Sequence, residues 1–382
     1  MYFATFILKN IVRRRLRSML TVLGVAIAVG AAVALLGIAD GFERSFLSLY
    51  QQRGVELIVV RAGKAERSTS FLDERIAERL RRLPGVAQVM GGLVDAVEIP
   101  GSGLQAVLVQ GWYADSPLFD ALRFVSGRRF RPDESHVAVL GSVIARNLGK
   151  KEGDAVSLYG EDFQILGVFE SFNHFENGCV VINIRDLQRL LGVGNKVTGF
   201  QVVVEPAPNK QALVDRLRGE IEALTDDRGH RLPLSALPTA DAVSTTSQLR
   251  LIKAQSWITS VIAVVIGSIG VLNTMLMSVF ERTREIGILR AIGWRRRRVV
   301  RMVLAESLLL SLAGAVVGIL FGLALTFALS RVPMAAGYVE GTIAPSVLLG
   351  GLAIAVLVGL LGGVYPAWRA ARLLPTEALR HE

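Results

Sequence analysis

Four long runs with almost no charge limit what this chain can fold into. Residues 19–39, 257–280 and 344–368 contain no charged side chain, and residues 302–330 contain only Glu306 and no basic group. About 20 apolar residues, rising ~1.5 Å each, span the ~30 Å hydrocarbon core of a bilayer. Each run therefore reads as a transmembrane helix. The 382 residues are 51% hydrophobic, and the mean hydropathy of +0.45 is too high for an ordinary soluble protein. The run 19–39 exceeds the ~7–15-residue apolar core of a signal peptide. No good cleavage site precedes Asp40. An uncleaved first span is expected.

Charge sets the orientation. Residues 1–18 carry five basic groups (Lys9, Arg13, Arg14, Arg15, Arg17) and no acid. Residues 281–301 carry eight basic and two acidic groups, and residues 365–382 carry three and two. These three short segments together hold sixteen basic and four acidic groups, a net +12, while residues 40–256 hold 26 and 27, a net −1. Basicity confined to the flanks of apolar runs is the positive-inside pattern, not the footprint of a nucleic-acid binder. It puts both termini and 281–301 in the cytoplasm and residues 40–256 outside. Residues 1–12 are apolar enough to lie in the cytoplasmic interface before the first span. Residues 331–343 make a short outer loop.

The outer region reads as mixed α/β. Val55-Glu-Leu-Ile-Val-Val-Arg61 has strand composition. Residues 72–83 read as an amphipathic helix stopped by Pro84-Gly85, and 86–111 as two or three strands broken at Pro100-Gly101. Residues from about 113 to 197 look like an inserted, mostly β unit, with strands at 137–141 and through 167–169. Strand (200–205) and helix (209–224) patterns then resume. Residues 244–256 are polar and helix-compatible and run without a breaker into the second span, as a stalk would.

Little in the chain suggests catalysis. Gly149-Lys150 lacks the rest of a Walker A loop, and no GxSxG, HExxH or CxxC occurs. His136, His174, His230 and His381 are scattered. Asn173-His174-Phe175-Glu176 has donor atoms for a metal but reads as a surface loop, as do Asp133-Glu134 and Asp226-Asp227. Cys179 reads as a small buried hydrophobe in a strand. No catalytic residue, metal site or cofactor is expected in this chain. Inside the spans, Glu306 lies about one turn from the cytoplasmic end. It either contacts the 281–293 segment or a cytoplasmic partner protein, or snorkels to water. Asn273 and Thr274 have the chemistry to hydrogen-bond across a helix interface. Gly314, Gly318 and Gly322, and Gly359 and Gly363, recur at i+4, the spacing that lets helices approach closely in lipid.

The segment between the second and third runs is Glu281-Arg-Thr-Arg-Glu-Ile-Gly-Ile-Leu-Arg-Ala-Ile-Gly-Trp294. As a helix it puts Ile288, Leu289 and Ile292 on one stripe. Glu281 reaches Arg284, and Arg282 reaches Glu285, at i+3, while Glu281 and Glu285 repel weakly. Gly287 costs roughly 1 kcal/mol against Ala. A loop that merely returns the chain has no use for this pattern. A short helix that presses its backbone against a partner has. A solvated basic loop is the other reading.

These thirteen residues to Gly293 resemble the cytoplasmic coupling helix of the MacB/FtsX-type, mechanotransmitting ABC-transporter permeases. The entry Lys9-Asn-Ile-Val-Arg-Arg-Arg-Leu-Arg-Ser-Met-Leu-Thr-Val-Leu-Gly24 and the tail 363–380 resemble the same family, and the outer region does so loosely. Pro366 and Pro375 in that tail are expected to end the fourth span and re-aim the chain. The resemblance implies an α-helical membrane protein of four transmembrane helices. A large extracytoplasmic α/β domain, with an inserted mostly-β subdomain, would lie between helices 1 and 2, in an inner membrane. It implies a homodimer, or a dimer with a paralogue, served by two separate ABC ATPase subunits that bind ATP and Mg2+. Residues Glu281, Arg282, Thr283, Arg284, Glu285, Ile286, Gly287, Ile288, Leu289, Arg290, Ala291 and Gly293 would dock into a cleft of the ATPase. Glu306 matches a position where the family often carries an acid. The output would be efflux or extraction from the outer side, with a periplasmic adaptor and outer-membrane channel as further partners. Activation of an extracytoplasmic cell-wall hydrolase is the alternative, and a membrane-anchored receptor without an ATPase is the rival of another class.

Overall fold

The computed structural model describes residues 15–63, 70–104, 106–173, 175–245, 247–332 and 343–373. The interfacial stretch expected at 1–12, most of the outer loop, His174, and the tail from residue 374 with Pro375 lie outside them. The described residues form helices α1 (Arg15–Gln52), α2 (Ile76–Arg81), α3 (Ser142–Leu148), α4 (Ile184–Leu190), α5 (Lys210–Glu222), α6 (Thr239–Ser244), α7 (Ser247–Glu281), α8 (Thr283–Ala291), α9 (Arg296–Leu329) and α10 (Pro345–Arg372). The strands are β1 (Val55–Arg61), β2 (Leu72–Asp73), β3 (Val86–Val97), β4 (Val107–Trp112), β5 (Arg123–Gly127), β6 (Val137–Gly141), β7 (Ala155–Leu158), β8 (Glu161–Glu170), β9 (Val180–Asn183), β10 (Lys196–Val197), β11 (Gly199–Val204) and β12 (Leu234–Pro238). The chain divides into one unit of Met1–Gly41, Ile252–Ala328 and Gly341–Glu382, and another of Phe42–Leu251 and Leu329–Glu340.

The second unit is built on one sheet of order β12-β1-β11-β3-β4-β9-β6-β8-β5, with β7 added beside β8. Strand β3 serves two partners. Residues from Val86 to Gly92 pair with β11, and Leu93 to Val97 pair with β4. The runs that read as continuously apolar do so because the sheet is covered on both faces. Leu57 and Val59 point to one core, with Leu80, Leu187 and Leu217 of the covering helices. Ile58 and Val60 point to the other, with Trp112, Phe119 and Phe130. This is the period-2 alternation of a strand with no wet side. Cys179 is buried just before β9, and burial pushes its thiol up to about 12.

Several expectations change here. Residues 72–83 do not form one helix. The Asp73 carboxylate accepts the Arg75 N–H at 2.9 Å and turns the chain out of β2, so α2 begins at Ile76. The helix of the first span continues past residue 39. Phe42, Phe46, Leu49 and Tyr50 continue a helical apolar stripe, and Phe42, Phe46 and Tyr50 pack on the sheet core of the second unit, so α1 runs on to Gln52. At Asn173, Phe175 and Glu176 the surface-loop expectation is overturned, since all three are buried. Glu134 is held in a turn rather than freely solvated. It accepts from both Arg128 terminal nitrogens and from the Arg131 N–H.

Those bonds favour the charged form and lower the Glu134 carboxyl from its ordinary 4.5 to about 2. A depressed acid stabilises the fold above its unfolded pKa and loses that contribution as pH falls through the folded one. The stability gap between wild type and Glu134→Gln is therefore expected to be constant above about pH 5 and to vanish near pH 2. Thermal melts of the full chain across that range check it.

The first unit packs its spans through glycine, with each cleft filled by a neighbouring helix. A Cβ on Gly314 would lie 2.6 Å from Val25 Cβ, and one on Gly318 would lie 2.6 Å from the Ala26 carbonyl oxygen. A Cβ on Gly322 would meet the Gly30 carbonyl at 2.9 Å. All three thus face α1. Nearer the start of α9, Gly359 and Gly363 of α10 receive Ser311 and Ser307, whose Oγ atoms would stand 3.0 and 2.7 Å from an added Cβ. The Ser307 hydroxyl donates to the Gly359 carbonyl at 2.5 Å. Pro366 does not end α10, which continues to Arg372. Pro366, Ala367, Ala370 and Ala371 are all buried, and that packing carries the helix past the missing N–H.

Candidate functional site

Helix α8 is short, and both its ends are specified locally. The Thr283 hydroxyl donates to the carbonyls of Phe280 (2.8 Å) and Val279 (3.2 Å), satisfying the last turn of α7. At the other end Gly293 takes φ +99°, a left-handed conformation that costs glycine no Cβ clash. Its N–H bonds the Arg290 carbonyl at 3.2 Å, and the Trp294 N–H bonds that of Leu289 at 3.0 Å. The role of Gly293 is thus to stop the helix.

The inner face is fixed in two ways. Ile286 is 2% exposed and sits in one core with Val279 of α7, Val299, Met302 and Val303 of α9, and Ala367 and Ala370 of α10. Gly287 beside it is also buried. The expectation that Gly287 opens the backbone to a partner is corrected, because this chain itself covers it. Arg282, at the N-cap, donates from Nη1 to Glu306 Oε2 at 3.2 Å and from Nε to Glu285 Oε2 at 3.0 Å. The Arg282 and Glu306 side chains are 7% and 8% exposed, whereas that of Glu285 is 55% exposed. Glu306 therefore meets the N-cap residue of α8 within the chain and does not snorkel to water.

The outer face carries Arg284, Glu285, Ile288, Ala291 and Ile292, all exposed. Glu281 is exposed, while Thr283, Leu289 and Arg290 are half-buried. Arg290 donates to the Trp294 carbonyl at 3.4 Å. Of the stripe read from sequence, Ile288 and Ile292 are on this face at 46% and 70% exposure. Nearby arginines stack on aromatic rings, Arg298 on Trp294 at 4.3 Å and Arg372 on Trp368 at 3.8 Å. Asn273 does not join a helix interface inside this chain. It is exposed on α7, and its neighbour Thr274 bonds back to the Gly270 carbonyl at 2.9 Å. The sequence already offered Glu306 a contact with this segment, but it did not name Arg282 as the partner, because i+3 spacing showed only Glu285.

A family model described as MacB-like periplasmic core domain matches residues 18–223, more than half of the chain. A second, described as FtsX-like permease C-terminal, matches residues 257–375. The chain is 30% identical over 408 residues to the macrolide export ATP-binding/permease protein MacB of Bdellovibrio bacteriovorus, across 98% of this chain and 61% of that protein. It therefore spans less than two thirds of that relative. It is 27% identical to an uncharacterized ABC transporter permease of Methanocaldococcus jannaschii, across 99% of this chain and 97% of that one. It is 25% identical to the uncharacterized ABC transporter permease YknZ of Bacillus subtilis, across 98% of each. The sequence motif at 281–293, the four apolar helices and the α/β domain between the first two agree with these matches. The chain belongs to the MacB/FtsX-type family of ABC-transporter permeases, as a membrane protein with a MacB-like core domain outside the membrane.

Proposed function

We propose that α8 is the coupling helix by which a separate ABC ATPase, binding ATP and Mg2+, drives this permease. The observation that supports it most is the division of α8 into two faces. Ile286, Gly287 and Arg282 hold it to the spans, and Arg284, Glu285, Ile288, Ala291 and Ile292 are left outward as a mixed apolar and charged stripe. A helix held on one side and presented on the other suits docking into a protein groove. On this reading the arginine-rich segments face the cytoplasm, and two ATPases serve a homodimer or a dimer with a paralogue. Closure of the ATPases moves α8, and the long helices α1 and α7 carry that movement to the extracytoplasmic domain. Efflux or extraction of a substrate from the outer side is the output the size of that domain favours. An adaptor and an outer-membrane channel would complete an efflux pathway.

The test is affinity purification of the tagged chain from native membranes in mild detergent, followed by mass spectrometry. An ABC-type ATPase that co-purifies, and is lost on Ile288→Asp with Glu285→Ala, supports the proposal. Absence of any ATPase after gentle cross-linking would favour an anchored receptor. The co-purifying extracytoplasmic protein, adaptor or hydrolase, selects the branch.

A further inference from the structure

The end of α1 is tied to the β8–β9 connection by buried polar groups. Arg53, one residue past the helix, donates from Nη2 to Glu176 Oε1 at 2.6 Å, with side chains 7% and 1% exposed. Glu176 Oε2 accepts from the Ser171 hydroxyl at 2.6 Å. The Asn173 amide donates to the Ser45 carbonyl at 2.6 Å, and its Oδ1 accepts from the Phe175 N–H at 2.9 Å. Asn177 closes the loop on itself, accepting from the Ser171 N–H and donating to the Ser171 carbonyl. The Phe175 ring meets Phe46 at 4.1 Å and Phe42 at 5.8 Å, centre to centre. The Arg53 guanidinium stands 5.8 Å over Trp112, and its Nε is buried with no hydrogen-bond partner among the described residues. A side chain at position 141 would overlap the Asn177 carbonyl, so Gly141 gives the loop its seat.

A buried ion pair is a poor way to gain stability, since its desolvation cost rivals its attraction. Its advantage over apolar packing is direction, because the donors and acceptors mate in one register only. The location gives that direction a use. In the sheet, the half β4-β9-β6-β8-β5 joins β12-β1-β11 through the divided strand β3. The Arg53–Glu176 tie bypasses β3 and runs from α1 straight to the β8–β9 connection of the far half.

We propose that Arg53 and Glu176 are positioning residues that make the end of α1 and the β8–β9 connection move as one body. A displacement of α1 then reaches the far half of the domain without being absorbed at β3. The mechanical consequence rests on the ATP-driven movement proposed above, whereas the tie itself does not.

Two arms separate these. In the first, hydrogen exchange is followed on the full chain in lipid nanodiscs without any ATPase. Arg53→Ala and Glu176→Gln are each expected to accelerate exchange in both 45–53 and 171–179 by about tenfold or more, leaving β1 and β11 protected. Acceleration in only one of the two segments, or in neither, overturns the tie. If Arg53→Ala does not fold, the apolar pair Arg53→Met with Glu176→Leu replaces it, because such pairs are often tolerated. In the second arm the chain is assayed with its ATPase. Arg53→Ala is expected to keep the rate of ATP hydrolysis but lower the work done per ATP by about fivefold, with Arg53→Lys recovering part of it. Equal loss of both, or loss of neither, overturns the transmitting role. A wild-type complex without ATP-dependent work would instead refute the coupling proposal, and the first arm would still decide the tie.

Discussion

Replacing Arg282 with alanine is expected to destabilise the membrane unit by about 3–5 kcal/mol, the usual cost of stranding one member of a buried ion pair. The geometry ranks the two arms of Arg282. The Glu285 carboxylate is 55% exposed, and an exposed i+3 pair contributes under about 1 kcal/mol. The Glu306 side chain is 8% exposed and lies within the third span, where water cannot compensate a lost partner. Glu285→Ala should therefore be mild in stability and Glu306→Ala severe. The double variant with alanine at 282 and 306 should recover part of the loss, because no charge is then stranded. Detergent-driven unfolding of the four variants reads this directly. A mild Arg282→Ala, no worse than Glu285→Ala, would mean that the Glu306 carboxylate does not depend on Arg282. Function should follow stability, since a loosened α8 no longer presents Ile288 and Ile292 at a fixed height.

Gly318→Val should be as damaging for a different reason. The added Cβ would stand 2.6 Å from the Ala26 carbonyl oxygen and 3.1 Å from both the Ala26 Cα and the Gly30 nitrogen. All three are backbone atoms, so no side-chain rotation relieves the clash. Helices α1 and α9 must separate, and the contacts of Gly314 and Gly322 on the same stripe go with them. About 3 kcal/mol is the expected cost, the upper part of the range for overpacked sites. Gly350→Ala and Gly270→Ala are the controls. Nothing lies within 4 Å of a Cβ at either place, so both should be neutral or slightly stabilising. Thermal stability of the solubilised chain, read by loss of the monodisperse peak, separates these cases. A tolerated Gly318→Val would show that the stripe reflects only the general abundance of glycine in membrane helices.

The membrane part of the fold was legible because lipid imposes one rule, an apolar helix of sufficient length, and four runs obey it. The ends were less legible. Residue 39 looked like a boundary because Asp40 follows, yet Phe42, Phe46 and Tyr50 carry the helix into the sheet core. Pro366 looked like a stop, but a buried alanine face outweighs one lost hydrogen bond. In the outer domain the strands were visible as apolar runs. Their order was not, since β4 beside β9 and β1 beside β12 pair across long sequence separations. The site shows the same division. The stripe of Ile288 and Ile292 follows from helical spacing. The burial of Gly287 and the partnership of Arg282 with Glu306 depend on neighbours that spacing cannot name. Glu176 shows the limit most plainly. Polar residues between two strands read as a wet loop, and the end of α1, together with β6 and α3, packs over them.

The most direct test of the account is a photo-reactive amino acid placed at Ile292 of the full chain in native membranes. The same probe at Ile266, exposed on the apolar surface of α7, serves as control. Ile292 is expected to cross-link to an ABC-type ATPase, and Ile266 is not. An ATPase-free Ile292 adduct, obtained while the rest of the complex stays intact, would contradict the assignment of α8 as the coupling element.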